Sequence, residues 1–213
     1  MDRSITVTAA TFPMISPDKL LNAYANGIFP MADSRHDPET KWYTSSHRGI
    51  IPLDSFHVSS NVKRIIRNQH YHIKFDKAFR DVMEACADRD TTWISEKLIN
   101  SYCTLHEAGH AHSVSVYNQD RKLVGGQYGV SLGAAFFGES MFGRAREASK
   151  VALYWTHRVL QQGGFELWDT QFWTEHLARF GCIEISAAEY EKRLQAALKK
   201  SAEFKPVDTD ARS

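Results

Sequence analysis

Glu139, Asp169 and Gln171 are the residues whose types and spacing could do chemistry. Glu139 ends the apolar, glycine-rich run that closes with Phe136, Phe137 and Gly138, and it opens the segment Ser140-Met141-Phe142. Asp169 and Gln171 stand two apart in Trp168-Asp169-Thr170-Gln171, so on a strand both would point to one face. Two carboxylates and a carboxamide against apolar walls make a site for polar chemistry on a substrate with an apolar side chain. A buried carboxylate is costly unless a cation or several donors meet it. For Glu139 that partner is either an ammonium group brought by a substrate or an internal cation such as Arg144 or Arg146.

Other residues carry two readings each. Lys63, Arg64 and Arg67 fall on one expected helix, as a solvated face or as a patch for nucleic-acid phosphates. Trp93 is either core or a platform for a base. Phe136, Met141, Leu153 and Leu160 are core or the apolar lining of a pocket, and Leu153 and Leu160 share a helix face. His106-Glu107-Ala108-Gly109-His110 matches the H-E-x-x-H zinc motif of metallopeptidases, with Glu107 as general base. Two facts oppose that reading. A metzincin would place a third histidine six residues after His110, where Val116 stands, and the following residues read as a strand. The bland alternative is a helix end whose histidines meet the helix dipole, with Gly109 turning the chain.

These residues need elements to hold them. The chain has 213 residues, 43% hydrophobic and 24% charged, which is an ordinary globular composition. Its net charge of +1 neither demands nor excludes nucleic acid. Three widely spaced cysteines fit reduced thiols better than a disulfide scaffold. No apolar run approaches the roughly 18 residues of a membrane span, and the first twelve residues show no signal-peptide pattern. Ser16-Pro17 predicts a helix start, with a stop at Gly27. Phe29-Pro30-Met31 reads as a loop, and short strands are expected over 41–43 and 50–53. A helix is expected over 60–68, a strand over 71–75, a helix capped by Asp76, and another capped by Ser95. Strands follow over 112–117, 122–130 and 134–138. A long helix over 147–162 ends at Gly163-Gly164. Strand 165–168, a short helix from Thr174, strand 182–185 and a helix opened by the capping box Ser186–Glu189 complete the order. This is an α+β protein with a mixed sheet. The expected units are a small N-terminal domain over 1–47, a main domain over 48–200 and a loose polar tail over 201–213.

Several blocks together resemble one family. Gly27-Ile28-Phe29-Pro30, Thr92-Trp93-Ile94, His106 through Ser113, Gly125 through Val130, Phe137 through Phe142, Ala148-Ser149-Lys150 and Asp169-Thr170-Gln171 occur in the order of the leucyl/phenylalanyl-tRNA–protein transferases, across roughly residues 16 to 200. The resemblance implies a GNAT-like acyltransferase domain, with a largely antiparallel mixed sheet, behind a small N-terminal α/β domain. It implies a cytoplasmic monomer of the N-degron pathway that needs no metal or other cofactor. Its donor would be aminoacyl-tRNA carrying Leu or Phe, less often Met, and its acceptor a protein with N-terminal Arg or Lys. Asp169 would polarise Gln171, which orients the attacking amine, while Glu139 holds an ammonium group. The donor side chain would enter a pocket of Phe136, Met141, Leu153, Leu160 and Trp168, Trp93 would stack near the terminal adenosine, and Lys63, Arg64 and Arg67 would contact the tRNA backbone. The chain departs from the family at Met31, at Gln127 (commonly Met), and at Thr156, Thr170 and Thr174, which bears on donor preference. The rivals are a zinc peptidase at His106, Glu107 and His110, and a non-catalytic tRNA-binding or GNAT-like module.

Overall fold

The structure, a computed structural model, describes residues 14–209. The N-terminal stretch read as lacking a signal peptide, and the end of the polar tail, lie outside the described residues.

Helix α1 (Pro17–Ala25) begins as its sequence requires, with the Ser16 hydroxyl accepting from the Lys19 N–H and Pro17 in the first turn. The segment expected as a loop is instead a strand. β1 (Phe29–Met31) pairs antiparallel with β2 (Lys41–Tyr43), Pro30 opposite Trp42. A two-stranded ribbon is all edge, so the missing proline N–H costs it little. β3 (His47–Ile50) starts three residues earlier than expected.

Then follow α2 (Ser60–Arg67), β4 (His72–Phe75), α3 (Phe79–Ala87) and α4 (Glu96–Glu107). Asp76 does not cap α3. Its carboxylate accepts from the Ser113 N–H and meets His112, whose other ring nitrogen meets the Ser131 hydroxyl. That chain of contacts ties three strands: β4, β5 (Ala111–Tyr117) and β6 (Leu123–Leu132). β7 (Ala135–Gly143) runs five residues past its expected end. α5 (Ala148–Gln162), β8 (Leu167–Gln171), α6 (Glu175–Ala178), β9 (Ile183–Ser186) and α7 (Ala187–Leu198) complete the order.

Seven strands form one sheet in the order β4-β5-β6-β7-β8-β3-β9. Every neighbouring pair is antiparallel except β7 and β8, which α5 joins as a parallel crossover. Side-chain alternation puts Phe137 into one core cluster, with Tyr24, Met83, Leu98, Tyr102 and Tyr190, and Phe136 into the other, with Val151, Leu153, Trp155 and Trp168. α5 lies close on the sheet because Gly125 has no Cβ, which would sit 2.7 Å from that of Ala148.

The start of the tail is not loose. Phe204 is buried against Phe136 and His112, and the Glu203 N–H donates to the Gly163 carbonyl. Polar composition hid an apolar anchor, Phe204, with Ala202 and Val207 packed beside it on the core.

Candidate active site

β7 and β8 are paired only over three positions, from Ala135 opposite Leu167 to Phe137 opposite Asp169. Beyond that point they part. The cause on β7 is a bulge. Tyr128 pairs with Ser140 while Gly129 pairs with Gly138, so Glu139 is the extra residue with no partner on β6. A bulge bends its strand and re-aims the residue within it. The cause on β8 is Gln171, which turns into the left-handed region at φ +58°. Asp169 Oδ1 accepts from the Gln171 N–H at 2.8 Å, an i to i+2 turn that holds this conformation.

Glu139 and Gln171 therefore meet across the gap, with Gln171 Nε2 donating to Glu139 Oε1 at 3.2 Å. The hydroxyl of Tyr24 on α1 donates to the same oxygen at 2.7 Å, and that of Tyr102 on α4 to Oε2 at 3.4 Å. The two tyrosine hydroxyls also lie within hydrogen-bonding distance of each other, so one of them shares its single proton between Glu139 and its neighbour. Burial holds both phenols well above their ordinary range, and the Glu139 charge adds to it, so they remain donors. No cation pairs with Glu139 among the described residues. Neither internal candidate serves: Arg144 pairs with Asp88 at 2.7 Å, and Arg146 borders a separate hollow with Asn61, Arg64 and Tyr71. Burial pushes the Glu139 carboxyl up to about 8, against the pull of Tyr24.

Asp169 is the opposite case. It is fully buried, yet four donors reach it. Arg48 makes a bidentate pair at 2.9 and 2.7 Å, the Tyr190 hydroxyl donates at 2.7 Å, and the Gln171 N–H supplies the fourth. The Arg48 guanidinium also donates to the Gly27 carbonyl and lies 4.4 Å from the Tyr190 ring centre and 4.9 Å from that of Phe29. The pair with Asp169 holds the guanidinium above its ordinary range against the cost of burial. Asp169 thus does not touch the Gln171 carboxamide. It reaches Gln171 through the backbone N–H, so any effect of Asp169 on that residue runs through the turn.

A cleft of about 600 Å³ opens at the split and includes Glu139, Met141, Trp93, Arg89, Arg144 and His176 in its walls. Trp93 and Met141 therefore share a cleft with Glu139. Phe136, Leu153, Leu160 and Trp168 do not line it. They are buried in the second core cluster, one layer behind Met141. Gln127 is buried on β6 opposite Met141. Lys63, Arg64 and Arg67 are exposed around one shallow hollow on α2, and Arg64 shares a second hollow with Arg146.

The zinc motif is not a zinc grip. α4 ends at Glu107, Gly109 turns the chain at φ +82°, and His110 leaves the helix. His106 spends Nδ1 on the Ala111 carbonyl and stacks on Phe79. Among the described residues no three His, Cys, Asp or Glu side chains are grouped to hold a metal.

Sequence reasoning missed Arg48, Tyr24, Tyr102 and Tyr190. One signal was present: an aspartate inside an apolar strand demands a cation, although nothing in the sequence says which one.

A family model described as "Leucyl/phenylalanyl-tRNA protein transferase" matches residues 50–195, and one described as its N-terminal domain matches residues 12–46. A leucyl/phenylalanyl-tRNA–protein transferase of Cereibacter sphaeroides is 52% identical over 91% of this chain and 90% of its own length. Proteins of the same name from Ruegeria sp. (50% identical over 89% of this chain and 90% of the relative) and Paramagnetospirillum magneticum (51% over 89% and 92%) are similar. Among solved structures, FemX superposes with a TM-score of 0.52 at 13% identity, over 79% of this chain and 66% of FemX. That likeness concerns the fold alone, a mixed sheet with flanking helices.

Proposed function

Because the chain belongs to the leucyl/phenylalanyl-tRNA–protein transferase family, we propose that it moves Leu or Phe from aminoacyl-tRNA onto the N-terminal Arg or Lys of an acceptor protein, marking it for degradation by the N-degron route. The observation that supports this most is Glu139, a carboxyl group without a cation, facing Gln171 at the split between two strands.

The reaction is aminolysis of an ester. The acceptor's α-amine must be neutral to attack, and a free α-ammonium has a pKa of about 7.7–8.0. The Glu139 carboxyl, pushed up to about 8, is matched to it, so a proton passes between them at little cost. The neutral amine then attacks the aminoacyl carbonyl. As the new C–N bond forms and the C–O bond to the tRNA 3′ oxygen breaks, the attacking nitrogen gives up one proton and the leaving oxygen takes one up. Gln171 orients the amine through its carboxamide, and Tyr24 and Tyr102 orient Glu139. The ester is already activated, so position supplies much of the acceleration.

Trp93, in the wall of the cleft, would stack on the terminal adenosine. Lys63, Arg64 and Arg67 would meet backbone phosphates, with Arg146 continuing the strip. We read the chain as two units meeting near Arg48, over 1–47 and 48–200, and as a cytoplasmic monomer. No helix among the described residues is long and apolar enough to cross a membrane.

The test is direct. Purified protein, leucyl- or phenylalanyl-tRNA labelled in the amino acid, and a peptide beginning with Arg should yield labelled peptide, and a peptide beginning with Asp should not. No label on either peptide, while an authentic transferase labels the Arg peptide in the same mix, would refute the proposal.

A further inference from the structure

Two large aromatic side chains follow Gln171 directly and stay open to solvent. Phe172 is 46% exposed and Trp173 41%. The Phe172 ring leans edge-on against Phe29 at 5.5 Å, while Trp173 has no ring partner among the described residues. The peptide link between them is pinned. A Cβ on Gly49 would lie 2.5 Å from the Phe172 carbonyl carbon and 2.6 Å from the Trp173 nitrogen, so a glycine in β3 is what lets this link cross the strand.

Beyond β3 lies β9, the open edge of the sheet. Gln171 pairs with Gly49, and Gly49 pairs with Glu184 on β9. The three stand in one row, with two strand spacings, about 9–10 Å, from the first to the last. Antiparallel partners share a face, which puts Glu184 on the face of β3 that the Phe172–Trp173 link crosses. Glu184 is exposed, and no cation or hydrogen-bond donor meets its carboxylate among the described residues.

An open carboxylate beside an open indole suits a cation. The ring face attracts it through its quadrupole, the carboxylate through charge and hydrogen bonds, and a flat guanidinium fits both. Other carboxylates near the split are committed. Asp169 is saturated by its four donors, and Asp88 pairs with Arg144. Glu175 lies in the first turn of α6, where the helix N–H groups favour its charge.

Resting on the transfer reading above, we propose that Trp173 and Glu184 seat the cationic side chain of the acceptor's first residue, with Phe172 at the rim. The α-amine of that residue sits at Glu139 and Gln171. Its side chain runs outward along the row from Gln171 and meets Glu184 reaching back. Trp173 and Glu184 are specificity-determining residues that touch the acceptor away from the reacting atoms.

The experiment measures kcat/KM for two peptides that differ only in the first residue, arginine or its uncharged isostere citrulline, with the intact protein and saturating leucyl-tRNA. The unaltered protein should prefer the Arg peptide. Glu184→Gln should shrink that preference about fivefold, the scale of an exposed ion pair, through a higher KM for the Arg peptide and with the KM for leucyl-tRNA unchanged. Trp173→Ala should raise the Arg-peptide KM about threefold, the scale of an exposed cation–π contact. Both side chains are exposed, so neither variant depends on repacking the core. Equal rates on the two peptides with unaltered protein would overturn the seat and leave the transfer reading intact. So would a preference that Glu184→Gln does not change, or a larger loss from Glu175→Gln than from Glu184→Gln. No transfer to either peptide by the unaltered protein would instead refute the transfer reading.

Discussion

Asp169 and Glu139 are two buried carboxyl groups beside one split in one sheet, and their surroundings are opposite. Asp169 has a bidentate arginine, a tyrosine hydroxyl and a backbone N–H. Glu139 has two phenols and a carboxamide, all neutral. Asp169 therefore has nothing left to offer a substrate. It fixes the turn that aims Gln171, and with Arg48 it pins β3, β8 and α7 together. Glu139 keeps a demand that neutral donors only partly meet, and its proton is held near neutral pH. Groups whose surroundings push them apart in this way divide the labour of a site. On the function proposed above, one carboxyl group holds the frame and the other handles the substrate's proton.

The sharpest way to break this division is Glu139→Gln. It should lower transfer by about 10²–10⁴-fold in single-turnover rate while the protein stays folded. Full activity in that variant would remove Glu139 from the chemistry. The next effect falls on the other carboxyl group. Arg48→Met leaves Asp169 buried and unpaired, at a cost of about 3–5 kcal/mol in denaturant unfolding. Arg48→Met with Asp169→Leu should recover part of that stability without recovering the rate, because the Gln171 turn is still lost. A double variant that transfers at the normal rate would show that Asp169 does not position Gln171. A smaller change is expected for Tyr24→Phe, about tenfold in rate with the pH optimum moved upward, since one donor that lowers the Glu139 pKa is gone. An unmoved pH optimum would count against that contact. Smallest is the basic strip. Replacing Lys63, Arg64 and Arg67 by alanine should flatten the dependence of log affinity for tRNA on log salt by about 0.7–0.9 per phosphate contact removed. An unchanged slope would take α2 out of the interface.

The same contrast explains what the sequence made legible. α1, α4 and α7 were readable because their signals are local: Ser16, Ser95 and Ser186 each cap a helix by accepting a bond three residues on. Glu139 and Gln171 were readable as chemistry because polar groups interrupt apolar strands. The bulge was not, since β7 continues through Ser140 and Met141 as if the apolar run had ended at Gly138. Arg48 was invisible for a different reason. Its partner lies 121 residues away, and nothing in Ser46-His47-Arg48 separates a buried arginine from an exposed one. Phe136, Leu153, Leu160 and Trp168 carried an ambiguity that spacing could not resolve, because the wall of a pocket and the core behind it share one composition.

A raised carboxyl pKa also sets a sign for stability. Between the unfolded value of 4.5 and about 8 the folded protein holds the Glu139 proton and the unfolded chain does not, so stability falls with rising pH across that window. The most direct measurement of the central claim follows from it. Carboxyl carbon NMR, taken as the difference between the protein and its Glu139→Gln variant across pH 4 to 10, should show one group titrating at about 8. A midpoint near the ordinary 4.5 would mean that Glu139 is as well served as Asp169, and the division between the two carboxyl groups would be wrong.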